Sequence, residues 1–145
     1  MEWTREPFTL SDDPARLDFD YIEASLRTTY WAAERPRVIM EAAFRNSLGF
    51  GLYDTAERSP RQVGFARVVT DKVNFSWIAD VFIDPSLRGR GLGKWMIRCI
   101  LEHPDVKDTR QALGTQDAHA FYEQLGFVRR ELLRRYPGAG EPPPY

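Results

Sequence analysis

The order of apolar and polar positions divides the chain into segments of different period. Pro7 to Leu10 predicts a first strand, and Ser11-Asp12-Asp13-Pro14 predicts the turn that ends it. Phe19, Ile22, Leu26 and Tyr30 then recur at spacings of three and four, as on one face of a helix. Pro36 breaks that pattern and suits the first turn of a second helix, with Val38, Ile39, Ala42 and Ala43 as its expected inner face. The second helix should end near Asn46-Ser47, and there the period changes to two. Phe50 and Leu52 alternate as strand residues do, and so do Val63, Phe65, Arg67 and Val69 after a turn at Arg58-Ser59-Pro60-Arg61. Residues 77–83 give the clearest strand, stopped by Asp84-Pro85-Ser86. Residues 91–101 read as a helix ended by His103-Pro104-Asp105, and residues 111–114 as a short strand. Residues 116–125 read as a helix closed by Gly126 in a left-handed conformation, and residues 127–133 as a last strand. Helices, a run of strands, then alternating helix and strand describe a mixed α/β domain.

Composition narrows the choice. A chain of 145 residues with 43% hydrophobic residues fits one globular domain, here residues 1–136, with a Pro/Gly-rich tail over 137–145 expected to be mobile. The net charge is −1, so no basic surplus calls for nucleic acid. No stretch approaches the ~18 apolar residues of a membrane span, and the amino terminus carries Glu2, Arg5 and Glu6 in place of an apolar leader. Cys99 is the single cysteine, which fits a reducing, cytoplasmic setting; its apolar neighbours predict helix packing. The two histidines, His103 and His119, lack metal-ligand spacing, so no metal is expected.

The segment after the best strand carries the chemistry. Val81-Phe82-Ile83 runs into Asp84-Pro85-Ser86-Leu87 and then Arg88-Gly89-Arg90-Gly91-Leu92-Gly93, where a helix begins. A helix start has unpaired amides and partial positive charge. Glycines let those amides approach an anion closely, and two arginines add charge, so the turn reads as a pyrophosphate cradle. A P-loop needs four residues between its first glycine and Gly-Lys; here three separate Gly89 from Gly93-Lys94, and Trp95 follows. A Gly-x-Gly-x-x-Gly dinucleotide fingerprint fails on its last spacing.

What remains is Arg-x-x-Gly-x-Gly, met by Arg88, Gly91 and Gly93. It resembles the cofactor motif of the GNAT (GCN5-related N-acetyltransferase) superfamily. A second segment resembles that superfamily's later helix: Ala118, then Tyr122 four residues on, then Leu125-Gly126-Phe127. Both motifs stand in the expected order. The resemblance covers residues 62–130 well and is weak before Gly49.

The resemblance implies a mixed, mostly antiparallel, twisted sheet flanked by helices and splayed at its two central strands. It implies acetyl-CoA as cosubstrate and acetyl transfer to a primary amine, a small molecule foremost. Val81, Phe82 and Ile83 would pair with the pantetheine arm as a strand does, and a backbone amide near Val81 or Phe82 would polarise the thioester carbonyl. The backbone of Arg88, Gly89, Arg90, Gly91, Leu92, Gly93 and Lys94 would hold the pyrophosphate. Asp117 and Phe121 join the cofactor-binding set, Phe121 suiting core packing as well. Tyr122 would be the general acid that protonates the leaving thiolate. Many relatives dimerise, and the segment from Phe127 onward is where a homodimer contact is expected.

The general base departs from the pattern. Related enzymes often place Glu or His at positions equivalent to Trp77 and Ala79, neither of which takes a proton. Asp80 is the only carboxylate on that strand. By alternation it should face with Ile78 and Phe82, opposite Trp77 and Ala79. It is a candidate base or acceptor anchor, or a buried carboxylate paired with backbone amides or an arginine such as Arg67. Tyr30, Trp31, Glu34, Arg67, Phe75 and Trp77 are the candidate acceptor-pocket residues, and core packing accounts for the aromatic ones equally well. The missing carboxylate at position 79 keeps a second reading open, a coenzyme A binding or sensing module without catalysis.

Overall fold

The computed structural model describes residues 1–56 and 58–138. The expected tail therefore lies outside the described residues except for Pro137 and Gly138. The elements are β1 (Glu2–Arg5), β2 (Phe8–Ser11), α1 (Phe19–Leu26), α2 (Arg37–Arg45), β3 (Leu48–Asp54), β4 (Arg61–Thr70), β5 (Phe75–Ile83), α3 (Leu92–Leu101), β6 (Arg110–Ala112) and α4 (His119–Glu123). Among the described residues, six strands form one sheet in sequence order. The pairings from β1 through β5 are antiparallel and β5 pairs with β6 in parallel. A parallel pair needs a crossover connection, which α3 supplies. The sheet is thus mixed and mostly antiparallel, as expected. The chain divides into two compact units, Met1–Leu113 with the whole sheet and a second that begins at Gly114 and carries α4.

In the first unit, Asp18 starts α1 by accepting the amides of Asp20 and Tyr21 at 3.0 and 3.1 Å. The helix ends at Leu26, where the hydroxyls of Thr28 and Thr29 bond the carbonyls of Ser25 and Leu26. Tyr30 therefore lies beyond the helix rather than on its face, a correction to the expected spacing. In α2 the buried residues are Met40 and Phe44, whereas Val38 and Ile39 are exposed. The expected inner face is wrong because the larger i, i+4 pair fills the space under the sheet, in a cluster with Ile22, Leu26, Ala32, Phe65 and Phe82.

Register assigns the two faces of the sheet. Gly51 pairs with Phe65 and Gly49 with Arg67, on the face that α1 and α2 cover. The other face buries Leu10, Phe50, Leu52, Ala66, Val68 and Ile78. His103, just past α3, sets its ring edge-on to Phe50 at 5.6 Å on that side. The inner residues of α3 are Leu92, Met96, Ile97, Cys99 and Ile100. Burial pushes the Cys99 thiol up, so it packs as a small apolar group, as expected.

Two devices fix β5. Asp71 accepts the amides of Val73, Asn74 and Phe75 at 2.8 to 3.0 Å, which holds its carboxyl down to about 2 and aims the strand. Gly64 on β4 admits the carbonyl of Phe82, which would lie 2.8 Å from any Cβ placed there. Gly64→Ala should push β4 and β5 apart at a cost of about 2 kcal/mol. Thermal unfolding should then show a midpoint about 6 °C lower; an unchanged midpoint would mean that the strands yield freely.

In the second unit, α4 is shorter than the expected 116–125, since Ala118 at its start supplies no side-chain cap. Gly126 ends it with φ of 90°, the left-handed conformation expected. Residues 127–133 form no strand, contrary to expectation. Two arginines and a glutamate in a row interrupt the alternation there, Arg129 turns back to pair with Glu123, and Val128 and Leu133 are exposed.

Candidate active site

The site is built where β5 departs from regular pairing. Arg67 pairs with Ala79 and Phe65 pairs with Phe82, so Asp80 and Val81 together oppose Ala66 alone. This is a β-bulge, and Asp80 takes φ of 52°, a conformation uncommon outside glycine. The extra residue reverses the alternation. Ile78 shares the face of Val68, while Phe82 lies on the opposite face, stacked on Phe65 at 5.3 Å. The expectation that Asp80 faces with both Ile78 and Phe82, away from Ala79, is therefore corrected. Its carboxylate meets Arg67, whose register partner is Ala79.

On its other side β5 has backbone beyond the reach of β6. The β5–β6 ladder covers only Phe75, Ser76 and Trp77, paired with Arg110, Gln111 and Ala112. From Ile78 onward β5 continues past the end of that ladder, which leaves its edge at Val81, Phe82 and Ile83 open. β6 is the last strand of the described sheet, so this opening lies beside an edge strand and not, as expected, between two central ones. Beneath this opening, Tyr21 sets its ring edge-on to Phe65 and Phe82 at 6.1 and 6.5 Å. Burial pushes its phenol up to about 12, which keeps it protonated at neutral pH.

β5 leads straight into the glycine turn. Asp84 accepts the amide and hydroxyl of Ser86 at 3.0 and 2.6 Å and so shapes the bend. Arg88 donates from Nε to the Ile83 carbonyl at 3.2 Å, its guanidinium 5.6 Å from the Phe82 ring centre. Arg90 lies over Phe8 at 5.1 Å. Gly89 and Gly91 have φ of 77° and 74°. Gly91 is the N-cap of α3 and provides no side-chain acceptor, and the first turn holds no acidic residue. A Cβ at Gly89 would meet nothing within 4 Å. Uncapped amides, left-handed glycines and two exposed arginines fit a pyrophosphate. Leu92 is buried, so it could contribute only its amide.

Arg5 was not marked by any motif. Its guanidinium donates to the carbonyls of Gly91 at 3.1 Å and Arg90 at 3.2 Å, which turns those peptide units so that their oxygens face β1. No sequence signal singles it out.

On the α1–α2 side, Oδ2 of Asp80 accepts from Arg35 Nη1 at 2.7 Å and Arg67 Nε at 2.6 Å. Arg67 Nη1 also donates to the Ser47 hydroxyl at 3.2 Å. The Asp80 side chain is 2% exposed, Arg67 15% and Arg35 22%. Arg67 is the expected partner of Asp80, whereas Arg35 reaches it from 45 positions away with no sequence signal. Of the other acceptor-pocket candidates, Trp31 packs against the α1–α2 cluster, and Tyr30 is exposed with its ring edge-on to Trp31 at 4.9 Å. Glu34 is exposed, and Phe75 lies at the far end of β5 from the bulge. Trp77 is half-buried and pairs with both neighbouring strands.

In the second unit, Tyr122 sits on α4 with its ring edge-on to Phe121 at 4.9 Å and Phe127 at 5.8 Å. Its backbone carbonyl accepts from Leu125 and Phe127, which closes the Leu-Gly-Phe turn. Asp117 precedes the helix and is exposed, and His119 is half-buried. Among the described residues no group of three or more His, Cys, Asp or Glu side chains could hold a metal, and no helix is long and apolar enough to cross a membrane.

A strand edge that runs past the neighbouring ladder and leads into an uncapped helix start with two exposed arginines can take an elongated anion. Comparison with known proteins agrees. Residues 45–129 match the model of the acetyltransferase (GNAT) domain. A candidate acetyltransferase of Gibberella zeae is 34% identical over 87% of this chain and 82% of its own length. An uncharacterised N-acetyltransferase, ycf52 of Porphyra purpurea, is 31% identical over 68% of this chain and 58% of its own. The crystal structure of a candidate GNAT acetyltransferase from Xanthomonas campestris pv. campestris superposes with a TM-score of 0.81 at 36% identity, over 89% of this chain and 92% of that one. The chain belongs to the GNAT family and is an N-acetyltransferase.

Proposed function

We propose that the protein transfers the acetyl group of acetyl-CoA directly to a primary amine of a small molecule, with Tyr122 as general acid. The observation that carries this reading is the continuity of β5. A bulge at Asp80, a strand edge beyond the reach of β6 and an uncapped helix start follow one another along residues 80–92. The cradle amides bind the pyrophosphate, and the backbone of Val81, Phe82 and Ile83 pairs with the pantetheine amides. An amide at Val81 or Phe82 polarises the thioester carbonyl. The amine nitrogen forms its bond to the carbonyl carbon, the carbon–sulfur bond breaks, and Tyr122 gives its proton to the departing sulfur.

The amine must lose a proton. Trp77 and Ala79 have no acceptor for it, and Oδ2 of Asp80 is engaged by two guanidinium groups. Asp80 is therefore assigned a positioning role, holding Arg35 and Arg67 at the bulge, and the proton leaves to water. The exposed apolar residues Val128, Leu132 and Leu133 support self-association through the segment from Phe127. The single buried thiol suits a cytoplasmic setting.

Calorimetric titration with acetyl-CoA tests the reading. Micromolar affinity and one site per chain are expected; no binding would sink it. The same Trp77 and Ala79 motivate the alternative, a coenzyme A binding module without catalysis. Binding with no turnover across a broad amine panel would favour that alternative. Tyr122→Phe should lower kcat about 100-fold with little change in the affinity for acetyl-CoA, at the modest end of general-acid effects because a thiolate already leaves readily. An unaltered kcat would remove Tyr122 from that role.

A further inference from the structure

The cluster around Asp80 carries more positive than negative charge. Two guanidinium groups share one carboxylate oxygen, and all three side chains are largely withdrawn from water. Among the described residues neither Arg35 nor Arg67 makes an ion pair with any other carboxylate. Ser47 does not offset the excess: its hydroxyl donates to the Ala43 carbonyl at 2.7 Å and accepts from Arg67. A half-buried cation without a full counter-charge is unfavourable, and an added anion relieves it.

Donor groups are also in surplus. Arg35 engages one of its five N–H groups through Nη1, and Arg67 engages two, through Nε and Nη1. On the same connection between α1 and α2 as Arg35, the indole Nε1 of Trp31 is buried without an acceptor. Three side chains with unused donors thus belong to the α1–α2 side of the sheet. Two of them are tied to the residue that makes the bulge, immediately before Val81.

We propose that Arg35 and Arg67 form an anion subsite for the acceptor, so that the enzyme acetylates amines that carry a carboxylate or phosphate on the same molecule. The inference rests on the acetyl-transfer reading and adds the acceptor class to it. The acceptor's anionic group takes the free N–H groups of the two arginines, a geometry that guanidinium offers to planar or tetrahedral oxyanions. Its amine is then directed to the thioester along β5. Polycationic amines are disfavoured by the same net charge.

The test uses matched acceptors with the intact protein and acetyl-CoA: phosphoethanolamine against ethanolamine, and β-alanine against β-alaninamide. At least about a tenfold higher kcat/KM is expected for the anionic member of at least one pair, and the pair with the larger ratio tells phosphate from carboxylate. Arg35→Gln should bring that ratio close to one, while Arg35→Lys should restore part of it, which a merely structural role for Arg35 would not produce. Equal rates within both pairs, or a ratio unmoved in Arg35→Gln, overturn the proposal. If no amine is acetylated, saturation-transfer NMR with phosphoethanolamine and β-alanine decides. Binding that Arg35→Gln abolishes sustains the subsite, and absence of binding overturns it. Acetyl-CoA titration and turnover on the same samples separate this outcome from failure of the acetyl-transfer reading, which shows as no cofactor binding or as cofactor binding with no amine acetylated.

Discussion

Gly91→Glu is expected to lower the affinity for acetyl-CoA by at least about 100-fold. Three effects act together. Gly91 has φ of 74°, and a side chain there strains the backbone by about 1–2 kcal/mol. The new carboxylate adds negative charge at the amides that receive the pyrophosphate, and a like charge within a few ångströms of an anion repels it strongly. A Cβ at this position would also stand 3.6 Å from Nη1 of Arg5, so the added carboxylate draws that guanidinium away from the carbonyls it holds. Calorimetry measures the loss, and far-ultraviolet circular dichroism checks that the fold survives. Affinity within threefold of the parent protein would show that the pyrophosphate lies elsewhere.

Asp80→Ala is expected to destabilise the fold by about 3 kcal/mol, at the lower end of the ~3–5 kcal/mol for breaking a buried pair, because the two guanidinium groups retain some contact with water. The melting midpoint should fall by about 10 °C. The substitution also removes the residue that has adopted a left-handed conformation at the bulge, and alanine tolerates φ of 52° no better. Asp80→Asn keeps an acceptor oxygen and should recover part of the loss. A midpoint unchanged in Asp80→Ala would mean that Arg35 and Arg67 find other partners and that the carboxylate does not organise them.

Much of this was legible in the residues because local chemistry determined it. Gly89 and Gly91 take the left-handed conformations that an anion turn requires, and Pro36 begins α2 where a missing amide costs nothing. The parts that were not legible depend on pairing between distant segments. The bulge at Asp80 arises from the register of β4 against β5, and alternation along one strand holds no record of its partner. Arg35 reaches Asp80 across 45 positions and Arg5 reaches Gly91 across 86, through long side chains that leave no periodic trace. Met40 and Phe44 displaced Val38 and Ile39 from the interior because the volume under Phe65 and Phe82 selected the larger pair. The segment 127–133 looked like a strand by its ends, and its central charges decided otherwise.

Arg5 sits at the end of the strand at one edge of the sheet, yet it holds the turn that follows the fifth strand. The sheet must curl far enough for that edge to meet the turn. Opening of the first hairpin and loosening of the cofactor turn are consequently coupled through these two bonds, and coupling of this kind is reciprocal. Acetyl-CoA should slow amide hydrogen exchange in β1 and β2, and Arg5→Ala should weaken that effect, most of all in β1, because Arg90 over Phe8 still links the turn to β2.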